Sequence, residues 1–468
     1  MLNLGARSLQ AARTGTEVTG HNIANANNPA YSRQRLSLAT STALPTAVGQ
    51  EGTGVDVAAI SQVRDVLLDG QIQVETSVSG SLTAQQSALQ QAEAALGQSL
   101  DTTTASGSTS ASDATGSQHG LGDSLNGLFT EFQNLANDPA SVTERNILLM
   151  KATDLASRFN QTDSRLTALR DSLNNKVSSD VGKANQLLSD IAKLNHQISA
   201  ATLSGSTAND LMDTRQSKIE ELSGLVKVDV SAGQSNALDI SVGGANLVSD
   251  DQVADTLETY PGADGQPQVR AKTSGTLLTL DGGSIQGAIE ARDGAIKNLQ
   301  DSINALASNL ITEVNDIHST GYSLTGSSGA SFFTGTSAAD MAVNTDLMGN
   351  PSLLQASGTS GATGDNQTAL AMAQLAAKPL NALNGQTFSG GYSNAVTLLG
   401  QAAASVNSQM SDQKVVQNML TQQRSSLSGV SLDEEMSNMI TYQKAFQASA
   451  KIVSTVDEML STIINMKQ

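Results

Sequence analysis

Four histidines, His21, His119, His196 and His318, are the first residues to test for chemistry, since imidazole can ligate a metal or move a proton near neutral pH. They stand far apart. No H-x-x-x-H or H-x-x-E-H spacing joins any two, so each reads as a helix-surface or loop histidine. Ser411-Asp412-Gln413-Lys414 spells S-x-x-K, the spacing that sets a serine nucleophile beside a lysine. So short a pattern arises by chance, and its companion motifs are missing. Gly120-Leu121-Gly122 follows no strand, which argues against a dinucleotide loop. Asp281-Gly282-Gly283 lacks the ligand series of a calcium loop. Asp433, Glu434 and Glu435 resemble paired catalytic carboxylates, but they fall in the first turn of a helix, where negative charge suits the dipole. A cell-wall glycosidase would line its groove with aromatics, and aromatics make only 3% of this chain. The expectation is a protein without catalytic site, cofactor or metal.

The elements that would position such residues carry more information. The last 38 residues, Ser431 to Gln468, predict one amphipathic helix. Gly429 ends what precedes it, Ser431 is the N-cap, and Glu434 completes a capping box. Lys467 falls in the last turn. Leu432, Met439, Phe446, Val453 and Leu460 step at heptad spacing, with Tyr442, Val456 and Ile463 between them. At 1.5 Å per residue such a helix spans roughly 55 Å. Met436, Met439, Met459 and Met466 suit an adaptable helix interface. At the other end, Leu2, Leu9, Ala12 and Ile23 form a weaker stripe, and Asn25, Asn27, Asn28 and Pro29 stop the helix. Neither stripe is buried by its own helix, so the two ends are expected to pair or to enter a larger assembly. Residues 1–35 carry Arg7, Arg13, Arg33 and Arg35 against Glu17, and residues 431–468 are net acidic, which favours pairing weakly.

Composition sets the frame. The 468 residues are 38% hydrophobic, with no Trp and no Cys, which suits thin bundles and small sheets better than one thick core. Disulfides and thiol chemistry are excluded. The net charge of −18 argues against nucleic acid and anionic membrane surfaces. No apolar run approaches the roughly 18 residues of a span, so no membrane insertion is expected. Leu2 and Leu4 are followed by Arg7 and polar residues, so no cleavable leader is expected.

The expected fold is mainly α with a small β-rich insertion, nested and elongated. Residues 1–32 and 430–468 are its terminal coiled coil. Residues 33–224 and 277–429 are the two parts of a helical bundle, and 225–276 is the β insertion. Residues 31–59 read as extended, and a helix runs from about Ile60 to Leu100. Residues 101–120 are a low-complexity loop. A long helix follows from Ser141, capped against Glu144, to 203. Val226, Val228, Val230 and then Leu238, Ile240, Val242 alternate as strands. Helix returns from Ser284 to His318. Residues 320–365 are irregular, with strands near Phe332-Phe333, and helices resume from Asn366 and Tyr392 to Leu427.

Two runs carry a resemblance. Asn22-Ile23-Ala24-Asn25-Ala26-Asn27-Asn28-Pro29-Ala30-Tyr31-Ser32-Arg33-Gln34 resembles the amino-terminal signature of bacterial flagellar rod, hook and hook-associated proteins. Ser431 to Met436, Tyr442 to Ala450 and Asp457 to Leu460 resemble the carboxyl-terminal signature. Within that family the chain looks most like the first hook-associated, or hook–filament junction, proteins. It departs in having Ala30 where the family places a glycine, and it starts a few residues late. The resemblance implies a structural subunit assembling with itself as a ring or helical layer on the hook tip. It implies contact with hook protein and with the second hook-associated junction protein. It further implies a cytosolic export chaperone on the C-terminal helix and passage through the flagellar type III export apparatus to the extracellular flagellum. Leu9, Ile23, Asn25, Pro29, Tyr31, Leu432, Met436, Met439, Tyr442, Phe446, Val453, Val456, Leu460 and Ile463 are the expected assembly residues. Another axial subunit (second junction protein, hook protein or flagellin) and a flagellar wall enzyme are the alternatives.

Overall fold

The computed structural model describes residues 2–46, 49–96 and 120–466. His119, Lys467, the expected helix end at Leu100 and nearly all of the 101–120 loop lie outside the described residues. Helix α1 spans Leu2–Ala24 and ends where the asparagines begin. Strand β1 (Gln34–Thr40) pairs antiparallel with β4 (Val55–Gln62), and the short β2 (Leu44–Thr46) and β3 (Gly49–Glu51) form the hairpin between them. Pairing with β1 carries the extended chain through Ile60 to Gln62, so the expected helix starts later. It is α2, Val66–Ala95, capped by Asp65, whose carboxylate accepts from Leu67 and Leu68 N–H. The β arm lies against α1: Arg7 grips the Asp56 carboxylate at 2.8 Å and the Ser41 hydroxyl. Residues 34–62 thus stand outside the bundle core, which begins at Leu82, although the sequence reading grouped them with the bundle.

Helix α3 (Leu121–Asn137) stops ahead of Asp138-Pro139. Ser141 then caps α4 (Val142–Leu203), accepting from Glu144 N–H. Its 62 residues extend roughly 90 Å. Leu148, Leu155, Phe159, Leu166, Val177, Leu188 and Ile198 hold one buried stripe along it. Helix α5 (Asn209–Leu225) turns back along α4. Strands β5 (Asp229–Ala232), β6 (Leu238–Val242), β7 (Ala245–Ser249) and β8 (Gln252–Val253) form an antiparallel meander. Strands β9 (Leu257–Pro261) and β10 (Pro267–Ala271) form a hairpin. Ile240, Val242, Leu247, Leu257 and Val269 join the same apolar cluster as the helices.

Helices α6 (Gly283–Ala291) and α7 (Lys297–His318) continue through a π-helical turn at Arg292–Ile296. The widened turn turns Arg292 inward. Its guanidinium is fully buried and donates to Asn174 Oδ1 of α4 at 2.9 Å, to the Pro267 carbonyl of β10 at 2.8 Å and to Asp293. One arginine therefore ties the β insertion to the bundle. Strands β11 (Phe333–Thr334) and β12 (Ala342–Val343) follow, then α8 (Thr345–Gly349) and α9 (Gln367–Gln374). Helix α10 (Phe388–Ser428) packs against α2 and α7, and α11 (Leu432–Asn465) closes the chain against α1.

His318 is buried and fully committed. One ring nitrogen meets the Ala330 carbonyl at 2.8 Å, and Nε2 accepts from Gln355 N–H at 3.0 Å. Burial lowers its pKa from 6.5 to about 4, aided by the Arg145 charge and opposed by the bond to Ala330. The unfolded chain binds the proton more tightly, so this contribution is complete above pH 6.5 and is lost as pH falls toward 4. It amounts to roughly 3 kcal/mol. Denaturant titrations between pH 7 and 4 should show wild type losing that much more stability than His318→Gln. Parallel pH profiles would refute the assignment.

Candidate assembly interface

Helices α1 and α11 pack antiparallel. Gly5 lies opposite Val453 and Gly15 opposite Tyr442; a Cβ on either glycine would come within 2.6 Å of those side chains. The close approach requires small residues on α1, and the buried ones are Gly5, Ala11, Ala12, Gly15, Val18, Thr19 and Asn22. Leu9 and Ile23 are only half-buried. From α11, Met439, Tyr442, Val453 and Val456 are half-buried at the seam, and Glu435 and Ser449 are the buried residues. Of the other expected assembly residues, Leu432, Met436, Phe446, Leu460 and Ile463 stay exposed, as do Ile440, Ile452, Met459 and Ile464. A narrow α1 cannot cover a stripe this wide.

The N-terminal signature folds into a polar knot where the coil meets the body. Asn22 uses its whole amide. Nδ2 donates to the Gln34 carbonyl at 2.9 Å and to Glu435 Oε2 at 3.0 Å, while Oδ1 accepts from Gln34 N–H and from the Tyr31 hydroxyl at 2.7 Å. Arg33 reaches across with Nε to Glu435 at 2.8 Å and with another nitrogen to Glu434 at 2.7 Å. Its own N–H donates to the Ser428 carbonyl at the end of α10, and its carbonyl accepts from Val63. Ser32 N–H donates to Asp213 and the Gln34 amide to Asp210, both on α5. Arg64 bridges Asp69 of α2 at 3.1 Å and Asp213 at 3.5 Å. Burial raises the pKa of Asp213, against the bonds from Ser32 and the charge of Arg64. Burial together with Asp210, Asp213 and Glu435 raises that of Tyr31.

Of the expected residues here, Tyr31 is buried in this knot beside His21, Asn25 is half-buried, and Pro29 is exposed. Ala30 needs no left-handed backbone, because Asn28 forms the turn: its Oδ1 accepts from Ala30 N–H at 3.1 Å and its carbonyl from Tyr31 N–H. A cleft of about 310 Å³ lies between this loop, α5 and the end of α10, lined by Asn27, Arg64, Glu220 and Arg424 among others. Arg424 and Glu220 pair at 2.7 Å within it. The arrangement ties elements together, since these carboxylates meet arginines or N–H donors. Among the described residues no group of three or more His, Cys, Asp or Glu could hold a metal ion, and no helix is long and apolar enough to cross a membrane.

Asn22, Arg33, Glu435 and Asp213 were missed as site residues. Asp433, Glu434 and Glu435 were read as first-turn charges, which accounts for Asp433 and leaves out the buried Glu435. The available signal was an arginine in one signature and two adjacent glutamates in the other.

The chain is similar to proteins of known family. Residues 114–333 match the family described as the flagellar hook-associated protein FlgK helical domain, and residues 421–466 match the flagellar basal body rod FlgEFG protein C-terminal family. Flagellar hook-associated protein 1 of Bacillus subtilis is 27% identical, with 99% of this chain and 97% of that protein covered. The Escherichia coli protein of the same name is 22% identical over the whole of both chains. The solved flagellar hook junction protein FlgK from Burkholderia pseudomallei shares the fold with a TM-score of 0.65 at 16% identity, covering 77% of this chain and 100% of that one.

Glu435→Ala should remove the buried carboxylate that both Asn22 and Arg33 meet, leaving Asn22 with Gln34 and Arg33 with Glu434. It should weaken docking of α11 by about 3 kcal/mol. Glu434→Ala, at an exposed position, should change it by no more than about 0.5 kcal/mol. Hydrogen exchange resolves the two: protection should fall in the first turns of α11 and around Tyr31–Gln34 for Glu435→Ala only, with α4 unchanged. Equal effects would show the knot to be incidental.

Proposed function

We infer that this chain, a member of the flagellar hook-associated protein family and a structural subunit of the hook–filament junction, joins its neighbours through its two terminal helices. The observation that carries this is the excess of apolar surface on α11. Leu432, Met436, Ile440, Phe446, Ile452, Met459, Leu460, Ile463 and Ile464 are all exposed, Ile463 by 63%, on a helix already paired once. Exposed apolar surface of this extent, on both sides of the seam, marks an interaction site rather than a free surface. The match of residues 421–466 to rod proteins supports the same part of the chain as the shared packing element.

In this reading the coil packs side by side with copies of itself in a ring or helical layer, hook protein below and the second junction protein above. The subunit has no active site. Export proceeds through the flagellar type III apparatus to the outside of the cell. A cytosolic chaperone covers α11 beforehand, because the same stripe would otherwise self-associate early. The flagellum is the location; these partners and this route are the proposal.

Two measurements test it. Cells lacking the protein should carry hooks without filaments and shed flagellin into the medium; attached filaments of normal number would sink the reading. In the second, Phe446→Asp and Ile463→Asp should leave the folded monomer within about 0.5 kcal/mol, since both positions are exposed, yet abolish filament attachment. Lys444→Glu and Lys451→Glu, also exposed, should keep motility. The same phenotype from both pairs would remove α11 as the assembly face.

A further inference from the structure

We propose that α11 is the oxidant-sensitive site of this protein: two-electron oxidants of the peroxide or hypochlorite class convert its methionines to sulfoxides and thereby block assembly. The chain has no Cys and no Trp, so methionine is its readily oxidised side chain. Four of the twelve methionines, Met436, Met439, Met459 and Met466, fall in or directly after α11. Met436 and Met459 are more than half exposed, Met466 is 82% exposed, and Met439 lies half-buried at the seam. By contrast Met341 and Met372 are buried in the bundle. Met150, Met348 and Met419 are exposed on other helices.

With hydrogen peroxide the thioether sulfur attacks one peroxide oxygen. An S–O bond forms, the O–O bond breaks, and the second oxygen leaves as water after a proton shift. Sulfur loses two electrons and peroxide gains them. The product is a polar, acceptor-bearing sulfoxide among the exposed apolar side chains of α11, which include Leu432, Ile440, Ile452, Leu460 and Ile463. Once a neighbouring subunit covers that helix, the sulfoxide has no donor to meet and the seam is disfavoured. Before assembly the sulfurs are open to solvent; after it they are shielded. The sensitive interval is therefore the folded subunit not yet in place. The inference rests on α11 being the assembly face.

The test is peroxide treatment of the folded full-length protein. Peptide mass spectrometry follows each sulfoxide, and co-sedimentation with isolated hooks follows assembly. Met436, Met459 and Met466 should oxidise at least tenfold faster than Met341 and Met372. The oxidised protein should bind hooks about tenfold more weakly, and methionine sulfoxide reductase should restore binding. A variant with Leu at 436, 439, 459 and 466 should bind after peroxide as before it, whereas Leu at 150, 348 and 419 should leave the sensitivity in place. Comparable oxidation rates at α11 and at Met341, or full hook binding by the oxidised protein, would overturn the proposal. If the four-leucine variant fails to bind at all, oxidation followed by reductase rescue of the wild type decides alone. If untreated wild type fails to bind hooks, the assembly reading itself falls, and the block to assembly falls with it, while the oxidation rates still report on exposure.

Discussion

The ends of this protein depend on one buried carboxylate. Glu435 lies in the first turn of the last helix, 2% exposed, and is held by an amide from the first helix and a guanidinium from the loop that follows it. A carboxylate taken out of water costs several kcal/mol unless its lone pairs are filled. Here both oxygens are used, and the filling groups come from positions 22 and 33. More than four hundred residues of bundle lie between those groups and the acid they serve. Closing the coil and seating the signature loop are therefore one event. If Arg33 leaves, Glu435 is uncompensated. If Glu435 leaves, Asn22 keeps its bonds to Gln34 but loses the one that ties it to the last helix.

The knot also sets the direction of the coil. Only two residues, Gly429 and Val430, separate α10 from the N-cap of α11, a link too short to fix an angle. The angle is fixed by bonds on all sides of the loop: Arg33 N–H to the last residue of α10, Ser32 N–H to α5, and the Arg33 side chain to α11. Hydrogen bonds are directional where apolar contacts are not, so a polar joint holds one orientation while burying little area. Arg292 acts in the same way at the β insertion, where a π turn gives one buried guanidinium access to both the bundle and a strand.

How legible this was in the sequence follows from the same distinction. Ser141 with Glu144 and Ser431 with Glu434 marked two helix starts that the structure places at the next residue. The apolar stripe of α4 and the alternation in β6 were readable because apolar burial is periodic. Helix α5 was missed because what it buries includes Asp213, Arg215 and Gln216, and periodicity in hydrophobic residues is blind to that. The start of α2 was misplaced because Ile60 is apolar in either state, and pairing with β1, a contact far off in sequence, decides it. At the coil the apolar spacing named Ala12, Tyr442 and Val453, which lie at the seam, but not Gly5 and Gly15, which α1 buries there because the two helices approach closely.

That close approach explains why the coil is unfinished as it stands. Gly5 and Gly15 bring the two backbones close, and close backbones leave the large side chains of α11 splayed to either side of the seam. A seam of leucines on α1 would hold the helices farther apart and cover more of α11, completing the coil within one chain. The glycine and alanine seam does the reverse. It fixes the register through steric contact with Tyr442 and Val453 and leaves Leu432, Phe446 and Ile463 open to solvent. Apolar surface removed from water contributes about 25 cal/mol per Å² wherever it is buried. The surface that α1 leaves uncovered thus lies on a helix whose orientation to the body is already set by Glu435. A subunit built in this way presents its last helix in one direction, and the proposed packing of other subunits along that helix would cover the apolar surface that α1 leaves open.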